Sequence, residues 1–193
     1  RLQLVRDNWK RYEYSLEKGK EGMPQTNAST VFDVSSVNLI ENARRQPINY
    51  VMPPNIKRVI DPSHRQARQL NEQALVLKVE NLAAGDARAV LKRLRLDVRR
   101  YKRLIMDVHA EQVRNVFLAD NATSVFLRIG SDFTDNYYEY EIPLQLTPPG
   151  MYSDSDMDRR AVWPDANRFD FEMDVLKQVK LLRNKEQSEL CQS

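Results

Sequence analysis

Cysteine, glycine and histidine are scarce in this chain, which has one cysteine, five glycines and two histidines among 193 residues. Cys191 has no second cysteine to pair with, so an internal disulfide is excluded and cysteine usage does not identify the redox compartment. His64 and His109 show no metal-ligand spacing with each other or with Cys191. His109 falls on the polar face of a predicted strand, where we expect it to be exposed. No apolar run approaches the ~20 residues that a transmembrane helix needs.

A recognisable catalytic constellation is also missing. No serine or cysteine stands in a context typical of a nucleophile with a histidine base. Two carboxylate pairs, Glu139 with Glu141 and Asp132 with Asp135, lie near the predicted central sheet. Glu139 and Glu141 would point the same way, about 6–7 Å apart along one strand. A glycosidase would still need a sugar-sized cleft above such a pair. We therefore expect no enzymatic activity.

Apolar residues make up 41% of the chain and charged residues 30%, with a net charge of +3. This is enough apolar material for one core. A basic cluster lies near the middle of the chain, but only Tyr101 lies among its charges, whereas nucleic-acid binding usually adds aromatic rings for base stacking. The cluster comprises Arg88, Lys92, Arg93, Arg95, Arg99, Arg100, Lys102 and Arg103. We interpret it as a solvated polar face and expect no nucleic-acid partner.

Three runs that alternate apolar and polar side chains, at residues 104–110, 124–129 and 136–144, are the strongest structural signal. Side chains of a strand point alternately to its two faces, so each run has one face for a core and one for water. Turn residues separate the runs, and this arrangement predicts a single antiparallel sheet. Residues 12–16, 31–40 and 74–79 are further predicted strands.

A proline-rich stretch at residues 41–68 precedes these strands. Proline and the residue before it favour extended dihedrals, so residues 49–56 are predicted to form an extended arm. Such an arm either crosses the surface of its own domain or docks on a neighbour. Its candidate partner contacts are Tyr50, Met52, Pro53 and Pro54. The resulting division is an N-terminal part at 1–68, a β domain at 69–185 and a tail at 186–193.

The C-terminal part carries the best helix pattern. Asp170 is placed to cap a helix over residues 169–184, in which apolar side chains recur at helical spacing. Before it, residues 151–160 are predicted to be a flexible acidic loop, and residues 161–165 a short strand that ends at a proline.

The acidic loop contains a weak calcium candidate. Asp154, Asp156 and Asp158 have the Asp-x-Asp-x-Asp spacing that opens an EF-hand loop. The sixth position is Arg159, where that loop needs glycine, and the twelfth is Asp165 rather than glutamate. We therefore expect no bound cofactor, with calcium as the open alternative.

Four aromatic side chains, Tyr137, Tyr138, Tyr140 and Trp163, have two interpretations. Flat rings can stack on the apolar faces of a sugar, which would make them a carbohydrate platform or a partner contact. Rings at alternating strand positions are more often core or cross-strand packing, and we favour packing.

Several longer phrases resemble the SprA/Sov family, the giant outer-membrane translocons of the type IX secretion system of Bacteroidota, which are also linked to gliding motility. The phrases occur in the same order from about Trp9 to Lys185. They are Asn49-Tyr-Val-Met-Pro-Pro-Asn-Ile56, Gln69-Leu-Asn-Glu-Gln73, Gly85-Asp-Ala-Arg88, Arg99-Arg-Tyr-Lys-Arg103, Gly130-Ser-Asp132, Asn136-Tyr-Tyr-Glu-Tyr-Glu-Ile-Pro143 and Val162-Trp-Pro164.

The resemblance implies that the chain is a fragment of such a translocon, which also fits its start without methionine. It further implies an antiparallel β-sandwich like the galactose-binding jelly roll, with a short C-terminal helix and a proline-rich N-terminal arm. In such folds more strands follow the helix, so the closing strands would be absent or supplied from elsewhere.

The expected function is a non-catalytic structural and interaction domain. Its expected place is a soluble insert at the outer membrane, on the periplasmic or the extracellular side. Expected partners are other translocon subunits and secreted cargo proteins, and the rest of the full-length protein would make the membrane contact. The alternative function is a carbohydrate-binding β-sandwich module at the cell surface.

Overall fold

The computed structural model describes residues 9–17, 19–25, 29–57, 60–61, 68–69, 72–94, 97, 100–113 and 118–190. Within these residues the chain forms ten short strands, two α-helices and one 3-10 turn, and the prediction of a mainly β fold is confirmed. The strands are β1 (Lys10–Arg11), β2 (Val31–Asn38), β3 (Ile60–Asp61), β4 (Arg68–Gln69), β5 (Gln73–Glu80), β6 (Val90–Leu91), β7 (Arg103–Asp107), β8 (Ser124–Gly130), β9 (Tyr137–Pro143) and β10 (Arg168–Glu172). The helices are α1 (Asp156–Val162) and α2 (Asp174–Leu190), and the 3-10 turn is Asp165–Asn167.

The strands pair as antiparallel two-stranded ribbons: β1 with β6, β2 with β5, β3 with β4, β7 with β10 and β8 with β9. A jelly roll is built from larger sheets, and the ribbons of the described residues do not confirm that part of the prediction.

The chain divides into two compact units. The first unit comprises residues 1–94 and 150–154, and the second comprises residues 95–149 and 155–193. A boundary at residue 68 was predicted from the sequence. In the structure β5 lies beyond that residue, yet it pairs along its whole length with β2 inside the first unit.

Ribbon β2–β5 is the longest pairing of the first unit. Both strands are rich in β-branched and aliphatic residues, which fit a pleated surface. The register places Phe32 opposite Val79 and Val34 opposite Leu77. Because facing residues share a face, these four side chains lie on one side of the ribbon.

The core of the first unit is formed by the stretch predicted to be an extended arm. Ile48, Tyr50, Val51 and Met52 are all buried. The backbone of this stretch is also bonded: the Tyr50 amide donates to Asn42 O at 3.1 Å, and Asn49 exchanges two hydrogen bonds with the Tyr152 backbone. Residues 54–55 form a turn in which the Ile56 amide donates to Pro53 O at 3.1 Å, and the predicted extended arm is not confirmed.

The second unit contains ribbons β8–β9 and β7–β10, whose apolar faces meet. Ile142 and Phe169 are buried, and the Tyr140 ring lies with its centroid 5.6 Å from that of Phe169 and 5.3 Å from that of Phe171. The predicted single sheet of three runs is wrong, because β7 pairs with β10 and not with β8 or β9 in the described residues.

Two further predictions for the C-terminal part are wrong. Residues 168–172 alternate charged and aromatic side chains, which suits a strand, so Asp170 lies in β10 and α2 begins only at Asp174. The predicted loop and short strand before it contain helix α1, because the Ser155 side chain caps this helix by accepting from the Asp158 amide at 3.2 Å.

Candidate interaction surfaces

The four predicted aromatic residues do not form one platform. Tyr138 and Tyr140 lie on the apolar face of β9, whereas Tyr137 lies on its opposite face, 4.2 Å below the Arg128 guanidinium. Trp163 is only 7% exposed, and its ring lies 5.7 Å from that of His109. These contacts are packing contacts, and none of them favours a sugar site.

The four candidate contacts of the proline-rich stretch lie inside the first unit. Tyr50, Met52 and Pro53 are buried, and Pro54 is half-buried. Burial raises the pKa of the Tyr50 hydroxyl, and the nearby charge of Glu72 raises it further. These side chains therefore build a core and do not present a surface. His64, Arg95, Arg99 and Cys191 fall outside the described residues.

The three aspartates of the calcium candidate are used differently by the fold. Asp156 and Asp158 occupy the first turn of α1, where a negative charge stabilises the helix N-terminus, and Asp154 precedes the cap. In the described part of the chain, no group of three or more His, Cys, Asp or Glu side chains is arranged to hold a metal ion.

The two carboxylate pairs are engaged in local structure. Glu139 binds the Arg128 guanidinium and Glu141 accepts from the Ser124 hydroxyl, both on the outer face of ribbon β8–β9. Asp132 accepts from the backbone amides of Asn136, Asp135 and Thr134 in the loop between the strands. Those hydrogen bonds, with the Asn136 amide as the largest effect, hold the pKa of Asp132 well below its usual range.

A polar cluster around His109 was missed by sequence reasoning, which placed this residue on an exposed face. Its side chain is only 18% exposed. Nδ1 lies 2.8 Å from Val162 O and 3.2 Å from the Thr147 hydroxyl, while Nε2 lies 3.3 Å from Glu111. The residues come from distant segments with no characteristic spacing, so no sequence signal could have identified them.

The His109 cluster resembles a hydroxyl–imidazole–carboxylate relay, but its geometry opposes that use. A carbonyl oxygen only accepts hydrogen bonds, so Nδ1 carries the hydrogen that faces Val162 O. It therefore has no lone pair to take the proton of Thr147, whose hydroxyl lies 3.3 Å from the same carbonyl. The cluster ties the C-terminal end of α1 to neighbouring segments of the second unit.

One face of ribbon β2–β5 in the first unit leaves aliphatic side chains exposed, and we call it the open ribbon face. It consists of Phe32, Val34, Leu75, Leu77 and Val79, which the register places on the same side. Leu75, Leu77 and Val79 remain 40%, 43% and 39% exposed. The opposite side carries polar residues such as Asp33 and Lys78 together with apolar residues such as Val37 and Val76. Exposed apolar side chains that lie together on one face make this face a candidate interaction surface.

The edges of the same ribbon add a second binding feature. Among the described residues, β2 and β5 each pair with only one neighbour. An edge strand leaves backbone N–H and C=O groups directed outward, which another strand can use. An added strand would therefore meet exposed apolar side chains and outward-directed backbone groups next to each other.

Helix α2 is the second apolar surface, and it belongs to the second unit. Val175, Val179 and Leu182 are 44%, 47% and 62% exposed. Their spacing of four and three residues puts them on one stripe of the helix. The structure thus exposes apolar side chains on one ribbon and on one helix.

None of the described helices has the length and apolar character required to cross a membrane. A family model named SprA_N, described as motility related/secretion protein, matches residues 1–193. No curated protein matches the chain.

Proposed function

The chain belongs to the SprA_N family of motility-related and secretion proteins, and on this premise we propose that it is a non-catalytic structural and interaction domain of an outer-membrane protein-secretion translocon. The translocon would be that of type IX secretion, which also serves gliding motility. The family fits a place in the cell envelope, and we propose the outer membrane, with the domain as a soluble insert on its periplasmic or extracellular side.

The observation that carries this proposal is the open ribbon face. A two-stranded ribbon is marginal by itself, and a third strand with a packed face would make it stable. We assign the face to an extended segment of a neighbouring translocon polypeptide, which adds to the edge of β2 or β5. Main-chain hydrogen bonds would give affinity, and Leu75, Leu77 and Val79 would receive its apolar side chains.

The same reasoning extends to the fold. The described residues hold antiparallel ribbons, two of which pack face to face in the second unit through Tyr140 and Phe169. We propose that such ribbons belong to a larger antiparallel β-sandwich of the jelly-roll type whose closing strands come from neighbouring segments.

The proposed role is non-catalytic and needs no cofactor. Glu139 and Glu141 are engaged by Arg128 and Ser124, and His109 is held by a carbonyl oxygen. Neither group stands free in a cleft to act as an acid or a base.

We propose other translocon subunits and cargo proteins as partners, and no nucleic acid. Two arginines of the basic cluster support this exclusion. Arg88 forms an ion pair of 2.7 Å with Asp86 in which both side chains are less than a tenth exposed. Arg103 pairs with Asp170 across ribbon β7–β10. Arginines that are already paired with carboxylates bind the phosphates of a nucleic acid less well.

The experiment is a double substitution, Leu75→Ser with Leu77→Ser, in the intact protein in its own bacterium. We expect secretion of cargo and gliding to fall, because strand docking loses its apolar contacts. The matched control is Ser35→Ala with Lys78→Gln on the opposite face of the same strands. Immunoblots of outer-membrane fractions show whether both variants reach the same level. Undiminished secretion by the Leu75/Leu77 variant at normal abundance would refute the proposal.

A further inference from the structure

The second unit has a pocket of about 320 Å³ between the turn before β8 and the segment that follows β9. This volume lies at the small end of the range for ligand pockets, which suits a single side chain. Leu118, Leu146, Pro148 and Pro149 form apolar walls. Asp120 is the only charged residue among the described residues of the lining. The pocket thus combines apolar walls with one negative charge.

Hydrogen bonds hold the wall that follows β9. The Thr147 amide donates to Ala110 O at 2.9 Å, and Thr147 itself is buried. Just before it, the Gln145 backbone exchanges two hydrogen bonds of 2.8 Å with the buried side chain of Asn167. The two prolines after Thr147 have a fixed φ. A wall that is already ordered loses little conformational entropy when a ligand binds.

Asp120 is held against the same wall. Its Oδ1 accepts from the Leu146 amide at 2.8 Å. The amide of the next residue, Asn121, donates to Leu144 O at 2.9 Å, so the turn that carries Asp120 is tied to the chain after β9. A carboxylate can accept about four hydrogen bonds through its two oxygens. The bond to the Leu146 amide therefore leaves Asp120 able to bind a ligand, mainly through Oδ2.

The lining identifies the chemistry of the ligand. A negative charge beside apolar walls is complementary to a positive charge at the end of an aliphatic chain, because lysine and arginine pack their methylene stems on apolar surface. Arginine gains most from a carboxylate that presents both oxygens to its planar fork. Because the Leu146 amide already binds Oδ1 of Asp120, the compact ammonium group of lysine suits this pocket better.

We propose that this pocket binds a lysine side chain of a partner polypeptide. The methylene stem would lie along Leu118, Leu146 and the two prolines, and the ammonium group would bind the Asp120 carboxylate. The pocket lies in the second unit, so its binding goes beyond the strand addition proposed for ribbon β2–β5 and does not depend on it. It would select partner segments by the position of a lysine.

The test uses the isotope-labelled 193-residue chain and two small compounds, N-acetyl-lysine methylamide and its norleucine counterpart, which lacks the ammonium group. NMR spectroscopy follows the amide signal of Leu146, because this amide is bonded directly to Asp120. We expect the lysine compound to bind about five-fold more tightly than the norleucine compound, with a preference that shrinks as salt rises.

A substitution that keeps the local hydrogen bond isolates the charge. Asp120→Asn retains a side-chain oxygen for the Leu146 amide and is expected to abolish the preference for lysine. Asp135→Asn removes an exposed carboxylate outside the pocket and is the matched control, which should keep the preference. The amide spectra show whether each variant keeps its fold. The comparison of the two compounds on the parent chain needs no variant.

Each of four outcomes would refute this assignment. They are equal affinity for the two compounds, an undiminished lysine preference in Asp120→Asn, and tighter binding of N-acetyl-arginine methylamide than of the lysine compound. The fourth is binding of the lysine compound only after Arg114→Gln. Arg114 lies outside the described residues, and this outcome would assign the pocket to a side chain of the chain itself.

Discussion

Ribbons β2–β5 and β8–β9 have the same local design, with paired strands that alternate apolar and polar residues, but their apolar faces differ in exposure. On β5, Leu75 and Leu77 are 40% and 43% exposed. On β8 the corresponding face includes Leu127, which is half-buried opposite Tyr140, and Val125, which is half-buried opposite the 7% exposed Ile142.

The difference comes from a third segment. Strand β10 brings Phe169 and Phe171 against Tyr140, which stays 45% exposed, and so covers part of ribbon β8–β9. Strand β1 reaches ribbon β2–β5 with one side chain, since the Arg11 guanidinium lies 5.8 Å from the centre of the Phe32 ring. Among the described strands, β2 and β5 pair only with each other. Alternation thus determines which face of a ribbon is apolar, whereas coverage depends on what the rest of the chain, or another chain, places against it.

The largest effect on stability should come from a substitution in the packing against ribbon β8–β9. Phe169→Ala removes a ring that is fully buried against Tyr140, so we expect a loss of about 3–5 kcal/mol in the free energy of unfolding. Phe32→Ala on the open ribbon face is the matched substitution and should cost clearly less, because Phe32 is only half-buried. Urea denaturation followed by circular dichroism measures both. Equal losses would mean that the two faces are equally covered.

The next largest effect on stability concerns one buried asparagine side chain in each unit. Asn167 is fully buried and exchanges two hydrogen bonds of 2.8 Å with the Gln145 backbone, as Asn49 does with the Tyr152 backbone in the first unit. Asn167→Ala and Asn49→Ala should each cost about 1–3 kcal/mol in unfolding free energy, because partner groups lose their bonds. Gln145→Ala keeps both backbone bonds and serves as the control. A loss in the control as large as in Asn167→Ala would contradict this account.

A smaller effect on stability is expected when one leucine on each of the two ribbons is replaced by serine. Leu77→Ser on the open ribbon face should change the free energy of unfolding by less than about 1 kcal/mol, as is usual for exposed positions. Leu127→Ser at the middle of β8 should cost more, because that side chain faces the covered side beside Tyr140. Thermal melts of both variants provide the measurement. A larger loss for Leu77→Ser would show that the open ribbon face is already packed within the chain.

The smallest effect is a change in how the free energy of unfolding depends on pH. It arises from Asp107 on the charged face of ribbon β7–β10. Burial raises the pKa of Asp107, while Arg168, with Nε 3.3 Å from Oδ1, lowers it, and Asp165 and Asp170 raise it. The folded protein therefore holds this proton more tightly than the unfolded chain does. The contribution of Asp107 to stability is complete below its unfolded pKa of about 3.9 and is lost as pH rises through the raised folded value.

The test subtracts the unfolding free energy of Asp107→Asn from that of the parent chain at each pH from about 7 down to about 4. We expect the difference to move in favour of the parent chain as pH falls. Movement in the opposite direction would show that the attraction of Arg168 exceeds the cost of burial. Asp170→Asn, which removes a neighbouring negative charge, should reduce the effect.

Local patterns were predicted well where one period dominates the sequence. The faces of β8 and β9, with Leu127 and Tyr140 on one side and Glu139 on the other, were predicted from alternation. Strands β2 and β5 overlap the predicted strands at residues 31–40 and 74–79, but the side of β2 that carries Phe32 and Val34 was not predicted. Predictions failed where two patterns adjoin, as at Asp170, where a two-residue period ends just before a helical one begins. The polar cluster of His109 could not be predicted, because its partners Thr147 and Val162 are remote in sequence.

The sequence by itself determined the secondary-structure class, the apolar sides of β8 and β9 and, through its longer phrases, the family. These depend on local sterics and on residue order, which need no knowledge of contacts. Only the tertiary structure decided that the proline-rich stretch at Tyr50 and Met52 forms a core, that β7 pairs with β10, and that the face around Leu77 stays open. Burial and strand partnership depend on which distant segments meet, and no local period carries that information.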